Sequence, residues 1–133
     1  MNKLELKNML LLFSHKLTDS QTKNAIDRWD VGNFIPLPQE LQDVWSNISP
    51  DIESLHDTLQ PIKEFVRKNL HEGDIALIQG DFGASYIMVN FVKELRIKPL
   101  YATTKREIQE FEQDGKTIKK STFEFRRFRE YGQ

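Results

Sequence analysis

Apolar and polar positions alternate in two registers along this chain, and the changes of register mark its elements. The run Met9-Leu10-Leu11-Leu12-Phe13 is uniformly apolar and short, as in a buried strand. Thr18-Asp19-Ser20-Gln21 has the form of a capping box, which predicts a helix running to about Trp29 with Ala25, Ile26 and Trp29 on one side and Gly32-Asn33 as its stop. Phe34-Ile35 reads as a second strand, and Pro38 opens a short helix carrying Leu41, Val44 and Trp45. Ser49-Pro50 then reads as cap and first residue of a longer helix. Its apolar stripe Ile52, Leu55, Leu59, Ile62, Val66 and Leu70 recurs at three and four, with Pro61 expected to kink or divide it.

After His71-Glu72-Gly73-Asp74, the segment Ile75-Ala76-Leu77-Ile78 is apolar without alternation, the mark of a central parallel strand covered on both faces. Ala84, Ile87, Met88, Phe91, Val92 and Leu95 return to helical spacing, and Leu100-Tyr101-Ala102-Thr103 is a further strand. Asp114-Gly115 predicts a hairpin between 107–113 and 116–127. Parity in that hairpin is imperfect, since Phe123 and Phe125 share a face while Phe128 is out of step and Ile108 and Phe111 fall on opposite faces. Strands alternating with helices predict one α/β domain over residues 1–133. The expected architecture is a Rossmann-like three-layer sandwich with a mainly parallel central sheet and a C-terminal β-hairpin.

Composition narrows the chemistry. The 133 residues are 38% hydrophobic and 29% charged, as in an ordinary globular chain, and there is no cysteine to form disulfides, thiolate metal sites or a thiol nucleophile. A cytoplasmic home is therefore expected, without membrane attachment, because the first apolar run is too short for a span or a signal segment. The formal net charge of −1 argues against coating long nucleic acid. The tail is nonetheless locally cationic: Lys116, Lys119, Lys120, Arg126, Arg127 and Arg129 stand against Glu124 and Glu130, which suits either a solvated hairpin face or an anionic ligand.

In parallel sheets ligands lie beyond the carboxyl ends of the strands, which directs attention to three segments. Gly80-Asp81-Phe82-Gly83-Ala84-Ser85 joins strand to helix. Its glycines would let backbone amides approach a phosphate at the positive helix end, with Asp81 capping the helix or meeting a ribose hydroxyl. It lacks the lysine and hydroxyl ending of a Walker loop and the third glycine of a dinucleotide fingerprint, and a tight turn without a ligand is the alternative reading. Thr103-Thr104-Lys105-Arg106 offers two hydroxyls and two cations for non-bridging phosphate oxygens, or simply an exposed strand end. Ser14-His15 follows the first strand, and a histidine there is a candidate to move protons, or a silent loop residue. His56 and His71 have no second metal-ligand type at binding spacing and read as surface residues, so neither a metal site nor a cofactor is expected.

The segments Leu12-Phe13-Ser14-His15-Lys16-Leu17-Thr18, Leu37-Pro38-Gln39-Glu40-Leu41 with Trp45-Ser46-Asn47-Ile48, Ile78-Gln79-Gly80-Asp81-Phe82-Gly83-Ala84, Tyr101-Ala102-Thr103-Thr104-Lys105-Arg106 and Phe128-Arg129-Glu130-Tyr131 occur in this order. Together they resemble the small Csx-type CRISPR-associated family that is number twenty of its series, over roughly Met9 to Tyr131. The resemblance implies a CARF-like fold and an accessory role in type III CRISPR defence. It also implies ring nuclease activity: metal-independent cleavage of cyclic tetra-adenylate by attack of a ribose 2′-hydroxyl, with sequestration without cleavage as the alternative. Combined with the strand-end argument, His15 is expected as general acid or base and Ser14 as an orienting group. Lys105 and Thr104, with Thr103 and Arg106, are expected to donate to the phosphate, and Gly80, Asp81, Phe82, Gly83, Ala84 and Ser85 to cradle it. A homodimer is expected, because a ring with two-fold symmetry can be shared by two copies.

Overall fold

The computed structural model describes residues 5–133. Strand β1 spans Lys7–Leu12, with Met9, Leu10 and Leu12 buried. The capping box forms as the sequence predicts: Thr18 Oγ1 accepts from the Gln21 amide at 3.2 Å and Gln21 Oε1 accepts from the Thr18 amide at 2.9 Å, which starts helix α1 at Asp19–Trp29. The stop differs from expectation. Asp30 takes the left-handed conformation (φ 57°) that closes the helix, a role aspartate tolerates through its short polar side chain. Gly32 instead lies inside strand β2, Val31–Pro36, where the Leu6 side chain fills the space a Cβ would need, at 2.6 Å.

Helix α2 covers Gln39–Ser46 and helix α3 covers His56–Asn69. The long helix therefore begins later than Ser49-Pro50, because the Ser49 hydroxyl accepts from the Asp51 amide two residues on, at 3.2 Å, and closes a local turn in place of a helix cap. Ile52 is left outside the stripe and 43% exposed, while Leu59, Ile62 and Val66 are buried as expected. Pro61 lies within α3 and does not divide it. Strand β3, Ile75–Ile78, is buried at every position. Helix α4, Phe82–Glu94, follows after a three-residue turn (79–81).

The sheet has five strands in the order β2-β1-β3-β4-β5. β1 pairs in parallel with β2 and with β3, β3 pairs in parallel with β4, and the last two strands are antiparallel. This is a mainly parallel α/β sheet with a C-terminal antiparallel hairpin, compatible with a Rossmann-like sandwich. One face carries α2, α3 and α4 over Leu10, Leu12, Ala76 and Ile78; the other carries α1 over Met9, Ile75, Leu77, Leu100 and Phe128. The chain leaves β1 in one direction for β2 and returns past it for β3, so the strand order reverses between β1 and β3, the position at which doubly wound sheets open a crevice.

Strand β4 is longer than the sequence predicts, Lys98–Gln113, and only its first residues pair with β3. Beyond them it runs as a two-stranded ribbon with β5, Lys116–Glu130, around Asp114 (φ 53°) and Gly115 (φ 73°). Two consecutive positive φ angles are those of a tight primed hairpin turn. The pairing shifts between Thr103, opposite Arg127, and Thr104, opposite Phe125, so Arg126 is an extra residue. That bulge accounts for the parity conflict: residues three apart normally face opposite sides of a strand, but here Phe125 and Phe128 come to one side with ring centroids 5.0 Å apart.

Candidate functional site

The loop after β3 is held by hydrogen bonds to three other elements. The Trp45 indole N–H donates to the Gln79 carbonyl at 3.1 Å, the Gln79 amide donates to Leu12 O at 2.9 Å, and Gln79 Oε1 accepts from the Ala102 amide at 2.7 Å. Gly80 lies directly under Trp45, and a Cβ there would meet the indole at 2.9 Å. Its lack of a side chain thus serves packing as well as any ligand. Gly83 is within helix α4 and a Cβ there would make only ordinary contacts, 3.4 Å to Asp81 Oδ2 and 3.5 Å to Leu55. Asp81 Oδ2 accepts from the Ala84 amide at 2.9 Å, and the Asp81 carbonyl accepts from the Ser85 amide. Of its two expected roles, Asp81 takes that of helix cap, so the protein's own carboxylate stands at the helix end where the sequence suggests a phosphate.

A cavity of about 450 Å³ opens beside this turn, lined by Gln79, Gly80, Phe82, Ser85, Tyr86, Val89, Tyr101 and Tyr131. Phe82 and Tyr86, one helical turn apart, are 95% and 73% exposed. Tyr101 and Tyr131 face each other with centroids 4.8 Å apart, and the Tyr131 hydroxyl donates to the Ile78 carbonyl. Burial, and secondarily the neighbouring Tyr101, push the Tyr131 phenol above its ordinary range. The Arg129 guanidinium lies 5.1 Å from the Tyr101 ring and donates to its hydroxyl. Ser85 is buried, and its hydroxyl has no hydrogen-bond partner among the described residues.

A second cavity, about 510 Å³, lies past the end of β1 and holds Ser14 and His15 together with Phe13, Lys16, Phe34, Leu37 and Gln42. Ser14 and Ser46 share a hydrogen bond at 3.0 Å, Gln42 Nε2 donates to the Phe13 carbonyl at 3.1 Å, and His15 meets the Phe13 ring edge-on at 5.4 Å. The two cavities open at the ends of neighbouring strands on either side of the reversal in strand order.

The third predicted segment is not brought to this edge. Thr103, Thr104, Lys105 and Arg106 sit in the middle of β4 and line neither cavity, because the strand continues into the ribbon instead of ending at Thr103. The Thr103 hydroxyl donates to Arg127 O at 2.8 Å and accepts from Arg127 N, which closes the bulge, and Arg106 donates to Ser121 across the ribbon. His56 and His71 are exposed, as expected. Among the described residues, no three His, Asp or Glu side chains gather as metal ligands would, and no helix is long and apolar enough to cross a membrane. Sequence reasoning passed over Gln79, Tyr86, Val89, Tyr101 and Tyr131 as cavity residues. The available signal was Phe82 and Tyr86, four apart and off the apolar stripe of their helix.

A family profile matches residues 7–129, a span that takes in the sheet to within one residue of the end of β5 and every residue lining the two cavities except Tyr131. The chain belongs to the Uncharacterized protein MJ1673 family. A relative from Methanocaldococcus jannaschii, "Uncharacterized protein MJ1673", is 50% identical over 123 residues, which cover 92% of this chain and 95% of that protein. No solved structure gives a significant match.

Proposed function

We propose that this protein binds a cyclic oligoadenylate, cyclic tetra-adenylate foremost, at the carboxyl edge of its sheet and cleaves it, as a CARF-like accessory of type III CRISPR defence. The observation that carries the reading is the pairing of two cavities at the strand-order reversal, one with His15 and Ser14, the other walled by aromatic side chains. The five-segment resemblance supplies the ligand class. Cleavage needs no metal ion in this scheme. The ribose 2′-oxygen bonds to the adjacent phosphorus as the bond to the 5′-oxygen breaks, the 2′ proton passes to a base and the leaving 5′-oxygen takes one from an acid. A 2′,3′-cyclic phosphate and a 5′-hydroxyl result. His15 is the residue assigned to proton transfer and Ser14 orients the ligand, while alignment of attacking and leaving oxygens supplies much of the acceleration. Thr104 and Lys105 are assigned no step, since they stand on the ribbon.

Incubation with cyclic tetra- and hexa-adenylate in excess chelator, followed by chromatography, tests the proposal; linear products ending in a 2′,3′-cyclic phosphate are expected. Loss of activity in chelator would refute the metal-free route. His15→Ala is expected to slow cleavage more than it weakens binding.

One observation favours the second reading, sequestration without turnover. The Ala84 amide at the start of α4 is already taken by Asp81, which removes a donor that would stabilise a developing phosphate charge. Ligand recovered intact after long incubation would decide for it. A shared two-fold ring also calls for a homodimer, and sedimentation with and without a non-hydrolysable cyclic tetra-adenylate is expected to show tightening by ligand.

A further inference from the structure

The first cavity is unlike the phosphate cradle that its glycines suggest. None of its eight lining residues carries a formal charge at neutral pH, and the nearest helix end is capped by the Asp81 carboxylate, which repels a phosphate. What the cavity offers is aromatic surface: Phe82 and Tyr86 stand exposed on one side of α4, and the Tyr101 and Tyr131 rings form a wall. Large exposed aromatics beside a cavity are the surface on which a planar ring stacks, and the volume lies in the range of small-ligand sites.

Two polar groups remain to read such a ring. Gln79 uses its carbonyl for Trp45 and its Oε1 for the Ala102 amide, and no acceptor among the described residues takes its Nε2. The Ser85 hydroxyl is sealed from solvent and has no partner among the described residues. A buried hydroxyl without a partner is costly, and a serine turns its hydroxyl by changing a single χ1 rotamer. A ligand edge in the cavity supplies the partner that the fold withholds.

We propose that this cavity takes the nucleobase, not the phosphate, of an adenine nucleotide, stacked on Tyr86 and Phe82 and read at its edge by Ser85 Oγ and Gln79 Nε2. The assignment rests on the nucleotide reading above and divides the edge into a base subsite after β3 and a phosphodiester subsite after β1. The uncharged lining, the spare amide donor and the unpartnered hydroxyl then have one explanation in common.

The test is calorimetric titration of the full chain, its Tyr86→Ala and its Ser85→Ala variants with cyclic tetra-adenylate and with adenosine 5′-monophosphate, using ribose 5-phosphate as the control without a base. Tyr86 is 73% exposed, so its truncation leaves the fold intact, which circular dichroism verifies. Binding of both adenine ligands is expected to weaken roughly 5- to 150-fold in Tyr86→Ala, the effect of removing one base stack. Ser85→Ala is expected to weaken it less, and ribose 5-phosphate to bind no variant. Cyclic tetra-adenylate bound equally by all three proteins would overturn the base subsite and leave the nucleotide reading standing. Failure of the unaltered chain to bind either adenine ligand would overturn both.

Discussion

β3 and the outer part of the β4–β5 ribbon have the same local backbone and opposite surroundings. Every residue of β3 is buried, with β1 and β4 on its flanks and helices over both faces. Between Thr104 and Glu124 the ribbon has only its own two strands, and nearly every residue is exposed, including Ile108, Phe111 and Phe123. A ladder hydrogen bond contributes little net free energy because water competes for both groups, whereas a buried aliphatic side chain contributes about 1.5–3 kcal/mol. The four residues of β3 therefore matter more to stability than the whole ribbon. The ribbon is held by its root, where Phe128 is buried beneath α1 and its amide donates to Asn24, and by its tight turn. Its cross-strand ion pairs, Lys119 with Glu110 and Arg126 with Glu107, are exposed and weak.

The largest effect expected from this contrast is in the core. Leu77→Ala should cost about 2–5 kcal/mol, the range for truncating a fully buried leucine. Phe123→Ser on the ribbon, at a 69% exposed site, should change stability by no more than about 0.5 kcal/mol. Urea unfolding of both variants decides the matter, and equal losses would mean that the ribbon belongs to the same cooperative unit as the core.

The next test asks how far the buried regime reaches toward the sheet edge. Gly80→Ala drives a methyl into the Trp45 indole and should cost about 1–3 kcal/mol, as overpacking does. Gly83→Ala meets only ordinary contacts inside a helix and should be neutral or stabilising by up to about 1 kcal/mol. Thermal melts of the pair separate a packed glycine from an incidental one. Smaller again is Asp81→Ala, which removes the α4 cap at a cost of about 0.5–2 kcal/mol. If the cap carboxylate also repels bound phosphate, the same variant should bind cyclic oligoadenylate more tightly.

The smallest effect concerns Tyr131, at the boundary between the two regimes. Burial first, and Tyr101 second, raise its phenol above the ordinary 10.0, so the folded protein holds this proton more firmly than the unfolded chain does. The stability it contributes is complete below pH 10.0 and is lost as pH rises from there through the folded value. Unfolding of the unaltered chain and Tyr131→Phe between pH 8 and 11 should show an advantage for the tyrosine that shrinks above about 10. A constant difference would mean that the phenol titrates alike in the folded and unfolded chain.

The legible parts of this fold were those with local causes. The capping box at Thr18 and Gln21, the uniform apolar run of β3 and the Asp114-Gly115 turn each follow from a few adjacent residues, and each is where the pattern puts it. The misplaced boundaries had tertiary or competing causes. Gly32 answers to Leu6 and not to helix termination, and Ser49 bonds to a nearby amide in preference to capping. The strand through Thr103 continues because β5 pairs with it, and the displaced parity of Phe128 records a one-residue bulge that no periodicity can announce. The candidate site divides likewise. Strand ends were sufficient to point to His15 and Gly80, but the tyrosines of the first cavity come from β4, from α4 and from the turn after β5, and meet only in three dimensions.

The contact of Gly80 with Trp45 also bears on how sequences of this family can diverge. A methyl at position 80 is excluded while the indole is present, and a smaller side chain at position 45 gives up the hydrogen bond that holds the Gln79 carbonyl, and with it the residue that anchors β4 through Ala102. Either change alone is penalised, so the two positions are expected to be inherited as a linked pair, with glycine at 80 wherever tryptophan stands at 45. Relatives that break the link should change both positions together and carry a differently shaped cavity as the visible trace of the exchange.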